Sequence, residues 1–312
     1  MAPTFRPRGI YSAQWIPVDA DGQLDRVALA DHIGFERRNG ISGLLALGST
    51  GEFPFFSPAD RKVAIDAIAT SAGDLPLVVN VSDIRPAVAV EIGRHACAAG
   101  AKAIAVMPPM FYPVSQPDML AYFLRVSEGV DLPVMLYNFP ELTGKKISLE
   151  TIAAFAVRAP MCGIKQSGAE FAYHRDLVAL GRQAGFVVVS GADTRLPEVF
   201  ALGAAGCIGG LVNVVPEVMV EIYRRSASNG SDMAPLAALM VEVGRIVDQL
   251  TFPLNVAAGL EARGFNPGVA KSVVSGESQA LYRRIVGELR ELLRRIPAVL
   301  SERPDPRSDH DS

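Results

Sequence analysis

The sequence predicts an α/β protein, a (β/α)8 TIM barrel with a C-terminal helical extension. Apolar runs recur eight times at an even spacing, helical patterns lie between them, and the runs stop after residue 228. The runs are continuous rather than alternating, which is typical of parallel strands covered on both faces. The eight predicted strands are YSAQWIPV (11–18), GLLALGS (43–49), PLVVNVSD (76–83), AIAVMPP (103–109), PVMLYNFP (133–140), MCGIKQS (161–167), FVVVSGAD (186–193) and GCIGGLVN (206–213).

The spacing of these units favours a closed barrel over an open sheet. Eight strand–helix units in roughly 215 residues give about 27 residues each, close to the repeat of an eightfold barrel. A doubly wound sheet has the same alternation, but no G-x-G-x-x-G follows the first strand. Helix starts are predicted at Ser57, which a proline follows, and at Ser115.

The chain divides into three predicted parts. Residues 1–228 form the catalytic barrel, and residues 229–300 form a C-terminal helical region with helices at 232–250, 253–263 and 278–297. Residues 301–312 are polar and proline-bearing and are predicted to be disordered.

Composition excludes several classes of partner. The chain has 312 residues, 49% hydrophobic and 20% charged, with a net charge of −3. This balance gives no support for binding nucleic acid or an anionic membrane surface. The three cysteines are scattered, as in a reducing compartment. No signal-peptide pattern begins the chain and no apolar run approaches the ~18 residues that cross a bilayer, so a cytoplasmic protein is expected.

Lys165 stands out because it lies inside an apolar strand. In an eightfold barrel, the chemistry is found at the C-terminal ends of the strands, and Lys165 lies near the end of the sixth. An arbitrary lysine there would snorkel to water or pair with a carboxylate. Desolvation, however, lowers the pKa of a lysine and so produces an amine nucleophile, which typically forms a Schiff base with a carbonyl substrate.

Tyr137 and the segment GSTGE (48–52) extend this hypothesis. Tyr137 comes one repeat before Lys165, so adjacent strands ~4.8 Å apart should place the two side by side. None of the four histidines falls at a strand end, which leaves the tyrosine as the strongest acid/base candidate. In GSTGE, backbone N–H groups and the hydroxyls of Ser49 and Thr50 could cradle a carboxylate.

Three motifs together resemble a known group of enzymes. GSTGE at 48–52, YNFPELTG at 137–144 and GIKQSG at 163–168, on eight barrel repeats, are similar to the N-acetylneuraminate lyase and dihydrodipicolinate synthase superfamily. The resemblance covers roughly residues 8–297. It implies a class I aldolase that needs no metal and no cofactor, forms a Schiff base with pyruvate or another 2-oxo acid, and assembles as a homotetramer of paired dimers.

The resemblance also implies roles for individual residues. Lys165 matches the lysine that forms the imine, and Tyr137 matches the tyrosine that transfers protons. Ser49 and Thr50 match the pair that binds the substrate carboxylate, and Thr50 also matches a member of the tyrosine's proton relay. Ile208 matches a position whose backbone lies against pyruvate.

Departures from the motifs narrow the expected substrate. Dihydrodipicolinate synthases have an arginine where this chain has Leu142, and a partner-subunit tyrosine where it has Phe111, which argues against that activity. Sialic acid lyases have a glutamate where Thr194 stands and a serine where Gly210 stands, which argues against the long sialic acid tail.

A 2-keto-3-deoxy sugar acid, cleaved reversibly to pyruvate and an aldehyde, is therefore the expected substrate. Its candidate contacts are Ser167, Gly191, Asp193 and Thr194. Related dehydratases use the same lysine, so cleavage and water loss stay open at this point.

Three other interpretations compete with this one. The first is a metal-dependent barrel that uses the strand-end carboxylates of Glu52, Asp83 and Asp193 as magnesium ligands. The second is a barrel that only binds a 2-oxo acid, although mere binding requires no buried nucleophile. The third is a phosphate site at Gly209-Gly210, a loop with no lysine or arginine beside it.

Overall fold

Eight parallel strands close into a barrel, as predicted. The computed structural model describes residues 5–168, 170–228 and 233–301. Each strand pairs with its neighbours in sequence order, and the eighth pairs with the first. The strands are β1 Gly9–Ala13, β2 Gly43–Ala46, β3 Leu77–Asn80, β4 Ala103–Val106, β5 Val134–Asn138, β6 Met161–Gln166, β7 Val187–Ser190 and β8 Gly206–Gly209.

The strands are shorter than the apolar runs that predicted them. β1 begins two residues before the predicted start at residue 11 and ends at Ala13, although the apolar run continues to residue 18. Trp15 and Ile16 in the rest of that run are buried but make no ladder. An apolar run therefore indicates which residues are buried. The hydrogen bonds between neighbouring strands end before the run does, where the chain enters the loops at the end of the barrel.

Helices surround the barrel, and both predicted start signals are confirmed. The Ser57 hydroxyl accepts the N–H of Asp60 at 3.2 Å, and the Ser115 hydroxyl accepts that of Asp118 at 3.3 Å. The helices are α1 Arg26–Arg38, α2 Pro58–Ala72, α3 Pro86–Ala98, α4 Gln116–Glu128, α5 Pro140–Thr143, α6 Leu149–Arg158, α7 Phe171–Ala184, α8 Leu196–Ala201, α9 Pro216–Ser226, α10 Ala234–Val247, α11 Leu254–Ala262, α12 Gly276–Leu293 and α13 Ile296–Ser301. Short 3-10 turns lie at Phe53–Phe55, Asp193–Arg195 and Leu211–Asn213.

Two of the C-terminal helices pack over the C-terminal ends of the barrel strands. α10 contacts the turn Asp193–Arg195 that follows β7, and α11 contacts the turn Leu211–Asn213 that follows β8. The predicted helices at 232–250, 253–263 and 278–297 thus correspond to α10, α11 and α12. Residues 229–232 and 302–312 lie outside the described residues, so the boundary at residue 228 and the disordered tail stay predictions.

None of the helices in residues 5–168, 170–228 and 233–301 is long and apolar enough to span a membrane.

A polar cluster is buried between β1 and α1. His32 accepts a hydrogen bond from the Gln14 amide at Nδ1 (3.0 Å) and donates one from Nε2 to the Asn213 carbonyl (3.0 Å). Glu36 is fully buried, and neither carboxylate oxygen has a hydrogen-bond partner within the described residues. Burial lowers the pKa of His32 to about 4 and raises the pKa of Glu36 to about 8.

We expect the stability of the chain to fall between about pH 6.5 and 8 because of Glu36. In the unfolded chain the Glu36 carboxyl has its ordinary pKa of 4.5 and is therefore ionised in this window. In the folded chain the same carboxyl stays protonated, so raising the pH favours the unfolded chain. The free energy of unfolding should therefore decrease with pH, by at most ~1.4 kcal/mol per unit. Below the ordinary pKa of 6.5 for His32, that group opposes the trend, because its proton is bound in the unfolded chain.

Urea unfolding of Glu36→Gln across this pH window tests the assignment. The variant cannot titrate at this position, so its free energy of unfolding should depend much less on pH than that of the parent chain. Equal slopes for the two proteins would contradict it.

Candidate active site

Lys165 and Tyr137 face each other at the C-terminal end of the barrel. They are direct register partners on β6 and β5, which confirms the predicted adjacency. The Lys165 Nζ donates to the Tyr137 hydroxyl at 3.0 Å and lies 4.3 Å from the centre of its ring. Lys165 is 4% exposed and Tyr137 is 1% exposed. A primary amine and a phenol are therefore held together, away from bulk water, where a proton can pass between them.

Ser49 continues this contact. Its hydroxyl lies 3.2 Å from the Tyr137 hydroxyl, so the hydrogen-bonded order is Lys165, Tyr137, Ser49. The loop that holds Ser49 turns sharply, since Glu52 adopts a left-handed conformation with φ of 56°. Sequence reasoning assigned the tyrosine's relay to Thr50, whereas Ser49 makes the direct contact. Thr50 is 3% exposed and lies on the cavity wall.

A cavity of about 370 Å³ lies beside the Lys165–Tyr137 pair. Its walls come from loops after several strands and from α10 and α11. The structure brings together eight of the nine predicted site residues, and Ser49 reaches the site through Tyr137. The eight that line the cavity are Thr50, Tyr137, Lys165, Ser167, Gly191, Asp193, Thr194 and Ile208.

Asp193 is fixed against the end of β8. Its Oδ2 accepts the backbone N–H of Leu211 at 2.8 Å, and the Cys207 thiol donates to its Oδ1 at 3.6 Å. Burial raises the pKa of Asp193, although the Leu211 amide and the charge of Lys165 act in the opposite direction. The carboxylate is thus oriented by protein groups at the edge of the cavity.

Gly209 makes this position of Asp193 possible, and its substitution should be destabilising. A Cβ at residue 209 would lie 1.9 Å from the Asp193 Oδ1. We expect Gly209→Ala to displace the carboxylate and to lower the free energy of unfolding by ~1–3 kcal/mol. Gly287→Ala in α12 is the matched control, since a Cβ there meets nothing within 4 Å. The control should gain up to ~1 kcal/mol, and equal urea midpoints for the two variants would contradict the assignment.

Several cavity residues have no counterpart in the sequence prediction. Phe139 lines the cavity from the loop after β5, and Phe171 lines it from the start of α7. Asp248, Phe252 and Asn255 line it from the C-terminal helical region. The last three residues come after the eight strand–helix units, so no strand end indicates which end of the barrel they approach. The one sequence feature that could have pointed to the cavity is the asparagine within the apolar helix LNVAAGLEA.

The proposed magnesium ligands point to different partners. Glu52 pairs with Lys271 at 2.7 Å, and Asp83 pairs with Arg61 at 3.2 Å. Within residues 5–168, 170–228 and 233–301, no three His, Cys, Asp or Glu side chains lie close enough together to hold a metal ion. The three carboxylates therefore do not form a ligand set. A phosphate site is disfavoured too, because the carboxylate of Asp193 lies against Gly209.

Comparison with known proteins places the chain in a family. A sequence profile of the dihydrodipicolinate synthetase family matches residues 6–277. The chain belongs to that family. Its members are lyases of the class I aldolase type, and the superfamily inferred from the three motifs is confirmed.

Relatives of this family differ in their assigned activities. The chain is 30% identical over 260 residues to an uncharacterised DapA-like lyase of Halobacterium salinarum, covering 83% of this chain and 85% of the relative. It is 28% identical to the 4-hydroxy-tetrahydrodipicolinate synthase of Methanococcoides burtonii, covering 90% of this chain and 98% of that enzyme.

Among solved structures, YagE resembles this chain along most of its length. YagE is a prophage protein of the dihydrodipicolinic acid synthase family from E. coli K12, solved in complex with pyruvate. It superposes with a TM-score of 0.83 at 27% identity, covering 92% of this chain and 98% of YagE.

Proposed function

We propose that this protein is a Schiff-base lyase that reversibly cleaves a 2-keto-3-deoxy sugar acid, or a similar 4-hydroxy-2-oxo acid, to pyruvate and an aldehyde. The observation that carries the proposal is the buried 3.0 Å contact between the Lys165 amine and the Tyr137 hydroxyl at the cavity wall. A buried amine beside a proton carrier is what imine formation requires. The complex of YagE with pyruvate supports a 2-oxo acid as substrate.

The geometry suggests an order of events. The Lys165 amine attacks the C2 carbonyl of the substrate, and water leaves as the imine forms. Tyr137 takes the proton from the C4 hydroxyl while the C3–C4 bond breaks, and the electron pair of that bond enters the protonated imine to give an enamine. Ser49 holds the Tyr137 hydroxyl through this exchange. Protonation of the enamine and hydrolysis of the imine release pyruvate.

The first half of the substrate is bound by the loop after β2. Thr50 on the cavity wall and the backbone N–H groups of GSTGE can hold the carboxylate of the 2-oxo acid. Ile208 lines the same cavity at the end of β8, so its backbone can lie against the three-carbon unit. Ser167, Gly191, Asp193 and Thr194 remain the proposed contacts of the hydroxylated chain.

The synthase and dehydratase activities are the alternatives. Archaeal relatives that carry the synthase name favour the first. Two positions argue against it: Leu142, in place of the arginine expected in a synthase, is 52% exposed and does not line the cavity, and Phe111 replaces the shared tyrosine. A dehydratase would use the same lysine, but it would keep the carbon chain of the substrate intact.

Borohydride reduction in the presence of pyruvate tests the proposal. Reduction should trap a covalent adduct on the peptide that contains Lys165, located by mass spectrometry after digestion. Release of pyruvate and an aldehyde from 2-keto-3-deoxy acids would then distinguish cleavage from dehydration. An adduct on another lysine, or none with any 2-oxo acid, would overturn the assignment.

We also propose that the protein works in the cytoplasm as a homotetramer. All three cysteines are free thiols, as expected of a reducing compartment. Large apolar side chains are exposed on loops that follow successive strands on one side of the barrel, and they suit contact with a second copy of the chain. Four of them are Phe55, Ile84, Phe111 and Tyr112. Sedimentation velocity should give the mass of four chains, and a monomer at micromolar concentration would contradict the proposal.

A further inference from the structure

The C-terminal helices build one wall of the cavity. Val247 and Asp248 at the end of α10 line it, together with Phe252, which precedes α11, and Asn255 and Val256 in the first turn of α11. Lys165 and Tyr137 lie on the barrel strands of the same cavity. The remaining carbons of a substrate held at Lys165 by its 2-oxo carbon can therefore reach this wall.

Asn255 presents an unpartnered amide oxygen at this wall. It is 7% exposed, and its Oδ1 is buried without a hydrogen-bond partner in the part of the chain that the structure describes. Its backbone N–H is used within the helix, bonding to the Thr251 carbonyl. A buried amide that lacks a partner is costly. A ligand hydroxyl that donates to Oδ1 would therefore gain more here than at an exposed asparagine.

Asp248 adds a second acceptor near the rim. It follows Gly244 by one helical turn, and a Cβ at Gly244 would lie 2.5 Å from the methyl group of Thr194. This close packing holds the end of α10 against the loop after β7. Asp248 makes no ion pair within the described residues. Its carboxylate can therefore accept a hydrogen bond from a ligand.

Arg195 also lines the cavity, where two neighbouring side chains hold it in place. Its Nε donates to Glu198 at 3.1 Å, and its guanidinium lies 4.1 Å from the centre of the Phe171 ring. Asn255 and Asp248 give the wall that the C-terminal helices build an amide oxygen and a carboxylate as hydrogen-bond acceptors. Two acceptors suit neutral hydroxyl groups, and the Asp248 carboxylate disfavours a second carboxylate beside it.

We propose that Asn255 and Asp248 are specificity-determining residues that recognise the distal hydroxyl groups of a neutral sugar-acid chain. The inference rests on the proposed function, because it requires a 2-oxo acid anchored at Lys165. It extends that function by assigning the hydroxyl-binding wall to the C-terminal helical region rather than to the barrel. A dicarboxylic sugar acid would place its second carboxylate beside Asp248 and would bind poorly.

Aldol condensation with two aldehydes of equal length tests this inference. Pyruvate is offered with glyceraldehyde, which carries two hydroxyl groups, or with propanal, which carries none. The parent enzyme should prefer glyceraldehyde. Asn255→Leu should reduce that preference, measured as the ratio of kcat/KM values, by about 10-fold, equivalent to one lost hydrogen bond. Asp248→Ala is a second variant in an exposed position and should reduce the preference in the same direction.

Gln249→Leu is the matched control. Gln249 is the neighbouring amide on the same segment, does not line the cavity, and accepts a hydrogen bond from Arg284 at 2.8 Å. The control should keep the parent preference. Borohydride trapping with pyruvate is run on every variant. A trapped adduct with an unchanged preference in Asn255→Leu and Asp248→Ala would overturn this inference alone, whereas a parent enzyme without any adduct would overturn the proposed function and this inference with it.

Discussion

Lys165→Arg should lower kcat by at least ~1,000-fold and abolish the borohydride-trapped adduct. A guanidinium keeps its positive charge at all accessible pH values, so it cannot attack a carbonyl or form an imine. An arginine at this position would still offer N–H donors to the Tyr137 hydroxyl, which the Lys165 Nζ contacts at 3.0 Å. A hydrogen-bond donor would thus be retained while the nucleophile is lost. Steady-state kinetics and mass spectrometry of the reduced protein measure both effects.

Lys102→Arg is the matched control for this substitution. Lys102 is exposed, and it is not among the residues that line the cavity. It should retain parent kinetics and the adduct. Thermal unfolding of both variants separates loss of chemistry from loss of fold. Turnover of Lys165→Arg within threefold of the parent would refute the role of this amine.

Lys271→Met should lower the free energy of unfolding by ~3–5 kcal/mol. Lys271 lies between α11 and α12, and its Nζ bonds Glu52 of the GSTGE loop at 2.7 Å. The two side chains are 4% and 9% exposed, and the Lys271 ammonium also lies 4.3 Å from the centre of the Trp15 ring. Burial lowers the pKa of Lys271. Its removal would leave a buried carboxylate without its counter-ion, and the resulting loss is a large fraction of the stability of a domain.

Lys62→Met supplies the comparison. Lys62 pairs with Glu91 at 2.5 Å, but those side chains are 33% and 50% exposed, so solvent screens the pair. Its loss should cost under ~1 kcal/mol. The double variant Glu52→Gln/Lys271→Met removes both charges and should recover part of the loss seen in Lys271→Met. Equal urea midpoints for Lys271→Met and Lys62→Met would contradict the argument.

The site residues that could be predicted from the sequence lie at the ends of the barrel strands. Tyr137 and Lys165 are one strand–helix unit apart, and the closed parallel order makes them register partners. Ser49 and Thr50 follow β2, and Asp193 follows β7, so the rule of strand ends was enough to select them. The sequence did not indicate whether Ser49 or Thr50 contacts Tyr137, because this depends on how the GSTGE loop turns. In the structure the Ser49 hydroxyl makes the contact.

Residues that approach the barrel from outside its repeats could not be placed. Asp248, Phe252 and Asn255 reach the cavity only because α10 and α11 fold back over the turns after β7 and β8. The Lys271–Glu52 pair joins positions 219 residues apart. Nothing in local composition specifies such a pairing.

The amino-acid sequence alone determined the barrel and its strand order and selected Lys165 as the candidate nucleophile. Hydrophobic periodicity and an even repeat can be read locally, and closure of the barrel then makes consecutive strands neighbours. The tertiary structure decided what covers the open end of the barrel and which polar groups the cover presents. Both features depend on packing between segments that are far apart in the chain. Whether a polar atom there is buried, and whether it finds a partner, depends on contacts that no single stretch of sequence contains.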